Sequence, residues 1–519
     1  MQLIQLAEAS QRVAETRKRS EKLALLAAAF SAAPDHELEL AVPWLAGVVV
    51  PPKADAETQE SVGKLGVGPK LLFEHSQATP AAEASLSLQD VEQRLNDLRG
   101  LQGKGSGNIR VTMLGKLFAS CTAPEQRFLR GLLSGELRQG ALESLVVDAL
   151  ARSAALDPAL VRRAQMLLGD LRELARLARQ GEGALAAVQI QLFRPVLPML
   201  ASPAEDPDAA LRHLGDAWLE WKLDGVRVQV HKRGEEVRIY SRLLNEVTAA
   251  LPEVVEQVRS LPVHSLILDG ESIALRKDNR PLPFQVTMKR FGRKVADPKL
   301  VEALPLSSFY FDCLYADGSL LDASTTERLR ALASVVPQAG RVPSIQTKDP
   351  KRAAEFLSSA FEAGHEGVMA KSLSATYEAG RRGQSWLKLK QAHTLDLLVL
   401  AAEWGSGRRK GWLSNLHLGA IDPRSGQPVM LGKTFKGLSD QLLKWQTEAL
   451  LEREIDRDGH TVYVRPELVV EIAFSDVQSS PQYPAGLALR FARVKRYRDD
   501  KSPNEADTLD RVRALAPDI

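Results

Sequence analysis

The sequence predicts a multidomain protein: an all-α N-terminal domain over residues 1–195, an α+β domain over 196–392, and a C-terminal β-barrel domain over 393–519. Three observations predict it. At 519 residues the chain is longer than one hydrophobic core usually serves. The apolar period changes from helical to strand-like near Ala217, and the texture changes again near His393. Between the first two regions, Phe193-Arg-Pro-Val-Leu-Pro-Met-Leu200 and Ser202-Pro-Ala-Glu-Asp-Pro207 break the pattern with proline.

In the first region alanine and leucine recur at helical spacing over Leu3 to Ala32, Ser87 to Leu101, Glu125 to Leu133, Glu143 to Ser153 and Pro158 to Gly181. Asp157-Pro158 reads as a helix start, with Asp at the N-cap and Pro at the first helical position. Two short pieces lean towards DNA. Gly103-Lys-Gly-Ser-Gly107 is a cationic loop whose backbone N–H groups suit phosphates, and it nominates Gly103, Lys104 and Gly105. Gly135-Glu-Leu-Arg-Gln-Gly140 sets Arg138 between glycines, where a backbone can approach a duplex, and it nominates Arg138 and Gly140. Either loop also reads as an ordinary turn in a helical scaffold.

In the second region Val226 to His231 and Val237 to Ser241 form a hairpin around Arg233-Gly-Glu-Glu236. A helix over Leu251 to Leu261 follows, then another strand–turn–strand in Leu266 to Ile273 and an apolar strand over Ser308 to Tyr315. Helices over Thr325 to Ser334 and Lys351 to Ala363 lead to Glu366-Gly-Val-Met-Ala-Lys371 and Ser385-Trp-Leu-Lys-Leu-Lys390. Strands and helices interspersed in this way predict mixed layers with antiparallel sheets. In the third region strand-like runs cover Leu395 to Ala402, Leu416 to Ile421, Val429 to Gly432, Thr461 to Val464, Leu468 to Phe474 and Leu489 to Val494. With one helix, Ser439 to Arg453, they fit a small Greek-key barrel of the OB type.

Composition excludes several classes. Two cysteines, Cys121 and Cys313, build neither a disulfide framework nor a cysteine-based zinc site, and they fit a reducing compartment. Neither a signal-peptide core nor a bilayer-length apolar run is present, so the expectation is a cytoplasmic protein, nucleoid-associated in a bacterium, with no membrane partner. A formal charge of +3 says little about nucleic acid, while local clusters such as Arg408-Arg-Lys410 say more.

The chemistry centres on Glu220-Trp-Lys-Leu-Asp-Gly-Val-Arg227. Lys222 stands in an apolar strand between Glu220 and Asp224. A free lysine with a pKa of about 10.4 is a poor nucleophile, and burial with nearby cations makes it a better one. The device of a charged residue beside glycine at a strand end recurs in Asp269-Gly-Glu271 and Glu366-Gly367. Residues i and i+2 of a strand share a face, so Lys388 and Lys390 point together, and Arg242 could join them. Cations, carboxylates and one special lysine are the inventory for phosphoryl chemistry with a divalent metal, for which Glu271 and Glu366 are the candidate oxygens.

These segments resemble, in order and spacing, the motifs of the covalent nucleotidyltransferases. Glu220 to Arg227 resembles motif I, Ser241-Arg242 motif Ia, Asp269-Gly-Glu271 motif III and Phe311-Asp312 motif IIIa. Glu366 to Lys371 resembles motif IV, Ser385 to Lys390 motif V, and Arg498-Asp-Asp-Lys501 motif VI. Within that superfamily the chain is similar to ATP-dependent DNA ligases of the three-module type: a helical DNA-binding domain, an adenylation (nucleotidyltransferase) domain and an OB-fold domain. The one departure is Ala492 in Arg490-Phe-Ala-Arg493, where the family commonly has proline.

The resemblance implies that Lys222 attacks the α-phosphorus of ATP and carries AMP. It implies that Glu220 reads adenine, Phe311 stacks on it, and Arg227 and Glu271 hold the ribose. Arg242 would lie nearer the nick phosphate, and Lys371, Lys388 and Lys390 would contact phosphates. Arg498 and Lys501 would orient the leaving pyrophosphate, with His393-Thr394 as hinge for a swinging barrel. Mg²⁺, with Mn²⁺ as the alternative, would sit by Glu271 and Glu366. The implied partner is nicked duplex DNA, joined by a sliding clamp or repair factors, and the implied state is a monomer serving replication, repair or recombination. Two rivals stand beside this reading: an RNA ligase or capping enzyme, and a DNA-binding protein with an inert catalytic domain. An NAD-dependent ligase would need a cysteine zinc module, which two cysteines cannot supply.

Overall fold

The computed structural model describes residues 1–49, 65, 67–68, 71–72, 74, 78–101, 103, 105–291, 295, 297–379, 382–390 and 393–515. They form two compact units, Met1–Leu389 and Lys390–Ile519. No described helix is long and apolar enough to cross a membrane.

The first part of the first unit is helical, with α1 (Leu3–Glu15), α2 (Arg19–Ala32), α3 (Asp35–Leu45), α4 (Leu88–Gly100), α5 (Ser106–Ala119), α6 (Ala123–Leu133), α7 (Glu143–Ser153), α8 (Pro158–Leu168) and α9 (Leu171–Gln180). Two expected runs are broken. Leu3 to Ala32 divides because Glu15 to Lys22 holds no apolar residue to anchor a helical face. Pro158 to Gly181 divides at Gly169, which is left-handed at φ 63°, and Asp170, which caps α9. Asp157 does cap α8 with Pro158 at the first position. Side chains such as Phe30, Trp44 and Phe118 fill one core.

Two sheets follow, built from β1 (Leu200–Pro203), β2 (Ala217–Lys222), β3 (Val226–Arg233), β4 (Glu236–Ser241), β5 (Ser265–Ala274), β6 (Leu306–Ala316), β7 (Ser344–Thr347), β8 (Gly367–Ser372) and β9 (Arg382–Lys390). One sheet has the order β1-β9-β8-β2-β7, the other β4-β3-β5-β6. The turn expected within Leu266 to Ile273 is absent: β5 runs straight through Gly270, which is paired with Val228 on one side and Tyr310 on the other. The segment before β1 is stapled down: Phe193 N–H donates to His231 Nδ1 at 3.0 Å, and Val196 N–H donates to Gln229 Oε1 at 2.7 Å. Met166 and Leu167 of α8 share a core with Val196, Met199, Tyr377 and Trp386, so helical and sheet parts pack together.

The second unit carries β10 (His393–Trp404), β11 (Leu413–Ile421), β12 (Pro428–Thr434), β13 (Glu454–Asp458), β14 (Thr461–Val464), β15 (Val469–Phe474), β16 (Asp476–Ser479), β17 (Leu487–Arg490) and β18 (Arg493–Tyr497), with a helix over Asp440–Leu451. Strand β10 pairs with β11, β14 and β15, and Leu395, Leu397 and Val399 face the core on alternate positions. The expected single strand Leu489 to Val494 is two strands in two sheets, because Phe491 turns the chain at φ 57°.

Candidate active site

Strand β2 ends on Lys222, whose register partner on β8 is Gly367, next to Glu366. Lys222 Nζ lies 2.7 Å from Glu366 Oε2, and the Glu366 N–H donates to the Lys222 carbonyl at 3.1 Å. The chain then crosses to the second sheet through Leu223 to Gly225. Gly225 is required there: a Cβ would stand 2.2 Å from Ile273 Cγ2 and 2.4 Å from the Ser272 carbonyl oxygen. Strand β3 places Arg227 opposite Glu271 of β5. Burial pushes the Glu271 carboxyl up to about 7 against the opposing pull of Lys222 and Arg227. Lys222 thus pairs with Glu366 and acts electrostatically on Glu271. Among the described residues no set of three or more His, Cys, Asp or Glu is gathered for a metal.

Glu220 shares the strand face of Lys222. Its carboxylate lies 2.7 Å from Lys371 Nζ, and both side chains are buried. Burial pushes Glu220 up to about 7, with Lys371 pulling the other way. Lys371 differs from the phosphate contact expected of it. Its ammonium is closed in by the Phe311 carbonyl at 2.8 Å and by the Phe311 and Trp386 rings, at 4.9 and 4.3 Å to their centroids. The reason is register. Lys371 pairs with Trp218, four residues along the ladder from the Lys222–Gly367 pair, or roughly 13 Å at strand rise. Glu220 and Phe311 both line a cavity of about 240 Å³ with Trp218, Arg341, Ser344 and Gln346.

Arg227 is held on several sides. It makes a two-armed pair with Asp269 (Nε to Oδ1 2.9 Å) and donates to the Met199 carbonyl at 2.6 Å. Asp312 meets Arg328 in a second two-armed pair, at 2.8 and 3.3 Å, with both side chains almost fully buried. Arg242 is exposed in the turn after β4. Lys388 lies on β9 opposite Pro203 of β1. Lys390 ends β9 and opens the second unit.

In the second unit Arg498 donates to Asp396 Oδ2 at 2.8 Å and to both oxygens of Asp500, and Lys501 donates to the same Asp396 oxygen at 2.7 Å. Both cations therefore face carboxylates of the barrel. In the helical part, Gly103 and Gly105 have φ of 86° and 94°, and Gly105 caps α5. Lys104 lies outside the described residues. Arg138 is left-handed at φ 50°, exposed, and paired with Glu136. Lys22 closes this loop from beneath, donating to the carbonyls of Val13 (2.7 Å) and Gln139, and its Nζ would stand 3.0 Å from a Cβ at Gly140.

Three family models match the chain: DNA ligase N terminus over residues 49–151, ATP dependent DNA ligase domain over 198–390, and ATP dependent DNA ligase C terminal region over 409–501. A probable DNA ligase of Anaeromyxobacter sp. (strain Fw109-5) is 53% identical over 519 residues, covering 99% of this chain and 98% of that protein. The chain belongs to the ATP-dependent DNA ligase family. A probable DNA ligase of Mycobacterium avium (strain 104) is 50% identical over 526 residues, covering 99% of this chain and 98% of its own. The solved structure of Pmar-Lig_PreS3 aligns over 95% of this chain and 99% of its own with a TM-score of 0.60 at 20% identity, which is a likeness of fold. Family membership makes this an ATP-dependent ligase working through a lysyl-AMP, with the three-module architecture and a divalent metal requirement. Reading residues alone left Asp269, Arg328, Tyr377 and Asp396 without a role. All four are charge or hydroxyl partners of motif residues. Three of them, Arg328, Tyr377 and Asp396, lie outside every motif, and only tertiary contact exposes them.

Proposed function

We propose that Lys222 is the residue adenylated by ATP and that the chain seals nicks in duplex DNA as a monomer. The observation that carries this reading is the placement of Glu220 and Lys222 on one strand face. Glu220 lines a cavity with Phe311, and Lys222 pairs with Glu366 and acts electrostatically on Glu271. In the first step Lys222 Nζ attacks the α-phosphorus of ATP. A P–N bond forms, the bond to pyrophosphate breaks, and the amine loses a proton. Lys222 Nζ is held against Glu366 at 2.7 Å, and this contact must open for the amine to reach the α-phosphorus. In the second step an oxygen of the 5′-phosphate at a nick takes AMP, and Lys222 regains its proton. In the third the 3′-hydroxyl attacks that phosphate, AMP leaves, and a phosphodiester remains.

Within this reading Glu220 and Phe311 recognise adenine, and Arg227 and Glu271 hold the ribose. Lys388, Lys390 and Arg242 meet phosphates, and Arg498 and Lys501 orient pyrophosphate after release from Asp396. Lys371 acts differently, by fixing Glu220 against Phe311. Glu271 and Glu366 offer the hard oxygen donors that Mg²⁺ or Mn²⁺ accepts, and phosphates and water would complete its shell. A bound metal would neutralise charge developing on the phosphates. The loops at Gly103 to Gly105 and Gly135 to Gly140, with Lys104 and Arg138, grip the duplex backbone. The module boundaries at 195/196 and 392/393 belong to the same proposal, as do cytoplasmic localisation, service in replication or repair, and a clamp or repair partner. The test is sealing of matched nicked substrates by the full chain with ATP and Mg²⁺. Sealing of nicked duplex DNA is expected, and sealing confined to nicked RNA would overturn the DNA assignment.

A further inference from the structure

Tyr377 belongs to none of the motif segments, yet it is buried among them, on the chain between β8 and β9. Its hydroxyl donates to Asp269 Oδ2 at 2.9 Å and accepts from the Met199 N–H at 3.0 Å and from Arg227 at 3.3 Å. One donor and two acceptor sites are all that a phenol has. Burial and the neighbouring Asp269 raise the phenol well above its ordinary range, so it stays protonated and keeps donating. The ring packs edge-on against Trp386, 6.0 Å between centroids, and Arg328 lies 5.8 Å over it. The hydroxyl is therefore shared by three chain segments: the one entering β1, β3 with its motif arginine, and β5.

The geometry assigns Tyr377 as a positioning residue for the ligase reaction: its hydroxyl fixes Asp269 and the Met199 segment, and through them the orientation of the Arg227 guanidinium towards ATP. The hydrogen-bond arithmetic supports this. Of the five N–H groups of arginine, Nε donates to Asp269, one NH1 hydrogen to Met199, and the NH2 pair to Asp269 and Tyr377. One NH1 hydrogen is left by these contacts, and its direction is set by all of them. Removing the phenol oxygen takes one donor from Asp269, leaving it paired with Arg227 alone, and takes the acceptor from the Met199 N–H. Arg227 can then follow either partner away from its aim.

This inference rests on the proposed role of Arg227 in holding the ribose. The experiment is a double-mutant cycle on the full chain with Tyr377→Phe, Arg227→Lys and both together, reading AMP-adduct formation against ATP concentration. Tyr377→Phe should raise KM for ATP about ten-fold while the adduct formed at saturating ATP stays near wild type. In the Arg227→Lys background the same change should add less than about two-fold. An unchanged KM, or an effect of equal size in both backgrounds, overturns the assignment, since a merely structural loss would be independent of Arg227. Asp269→Asn carries the same cycle if Tyr377→Phe does not fold. Failure of the underlying reading looks different: wild type forms no adduct, or Arg227→Lys leaves KM for ATP unchanged.

Discussion

Replacing Lys371 with methionine should make stability depend on pH in a window set by Glu220. The ammonium lies 2.7 Å from the Glu220 carboxylate, and both groups are out of water. Methionine keeps the aliphatic packing on Phe311 and Trp386 and removes the charge. Glu220 ionises at 4.5 in its ordinary state and is pushed up to about 7 in the fold. A raised carboxyl binds its proton more tightly folded than unfolded. Wild-type stability from this group is thus fully present below pH 4.5, lost as pH rises towards 7, and level above it. Without Lys371 nothing opposes burial, and the carboxyl stays protonated to higher pH. Near pH 6 both proteins hold it mostly neutral, and the variant loses the ammonium's contacts to the Phe311 carbonyl and to the neutral Glu220 carboxyl, about 1 kcal/mol each. Above pH 7 the wild type levels off while the variant keeps losing about 1.4 kcal/mol per pH unit. Urea midpoints of the full chain at pH 6, 7, 8 and 9 measure this, with Glu220→Gln as the background in which the slope should vanish. A stability difference that stays flat from pH 6 to 9 would refute the pairing as the source of Lys371's burial.

Three further outcomes follow from the same geometry. Arg328→Met strands Asp312 as an unpaired buried charge and should cost about 3–5 kcal/mol in the same unfolding assay, with little recovery in Arg328→Lys, which lacks the second arm. Arg498→Ala and Lys501→Ala should each slow adduct formation from ATP by at least about ten-fold. Both should seal a nick that already carries AMP on its 5′-phosphate at near the wild-type rate, since no pyrophosphate leaves in that step. Arg138→Ala should weaken binding to nicked duplex and lower the salt-dependence slope by about 1, with the AMP adduct unaffected.

Much of the site was legible because it is written in short local patterns. A strand that ends in lysine, a glycine that only a bare backbone can fill, and a carboxylate beside glycine at a strand end are each patterns of a few consecutive residues. Gly225 and Glu271 are examples, and the structure places them beside Ile273 and in the field of Lys222. Long-range pairing was less legible. That Lys371 turns to Glu220 depends on the β2–β8 register, which a sequence does not print. Tyr377 reads as an isolated aromatic in a loop, and its partners Met199, Arg227 and Asp269 come from three distant segments. In the fold, strand β13 was missed because Glu454–Asp458 is almost wholly charged and shows no apolar alternation. The break at Phe491 was missed for a related reason: a left-handed residue that is neither glycine nor asparagine leaves no compositional mark.

The central claim is that Lys222 carries AMP, and peptide mass mapping tests it most directly. The full chain is incubated with ATP and Mg²⁺ without DNA, digested, and its peptides weighed. The account predicts one added AMP on the peptide containing Lys222, absent in Lys222→Ala. An adduct on any other lysine, or an adduct that persists in Lys222→Ala, would contradict it.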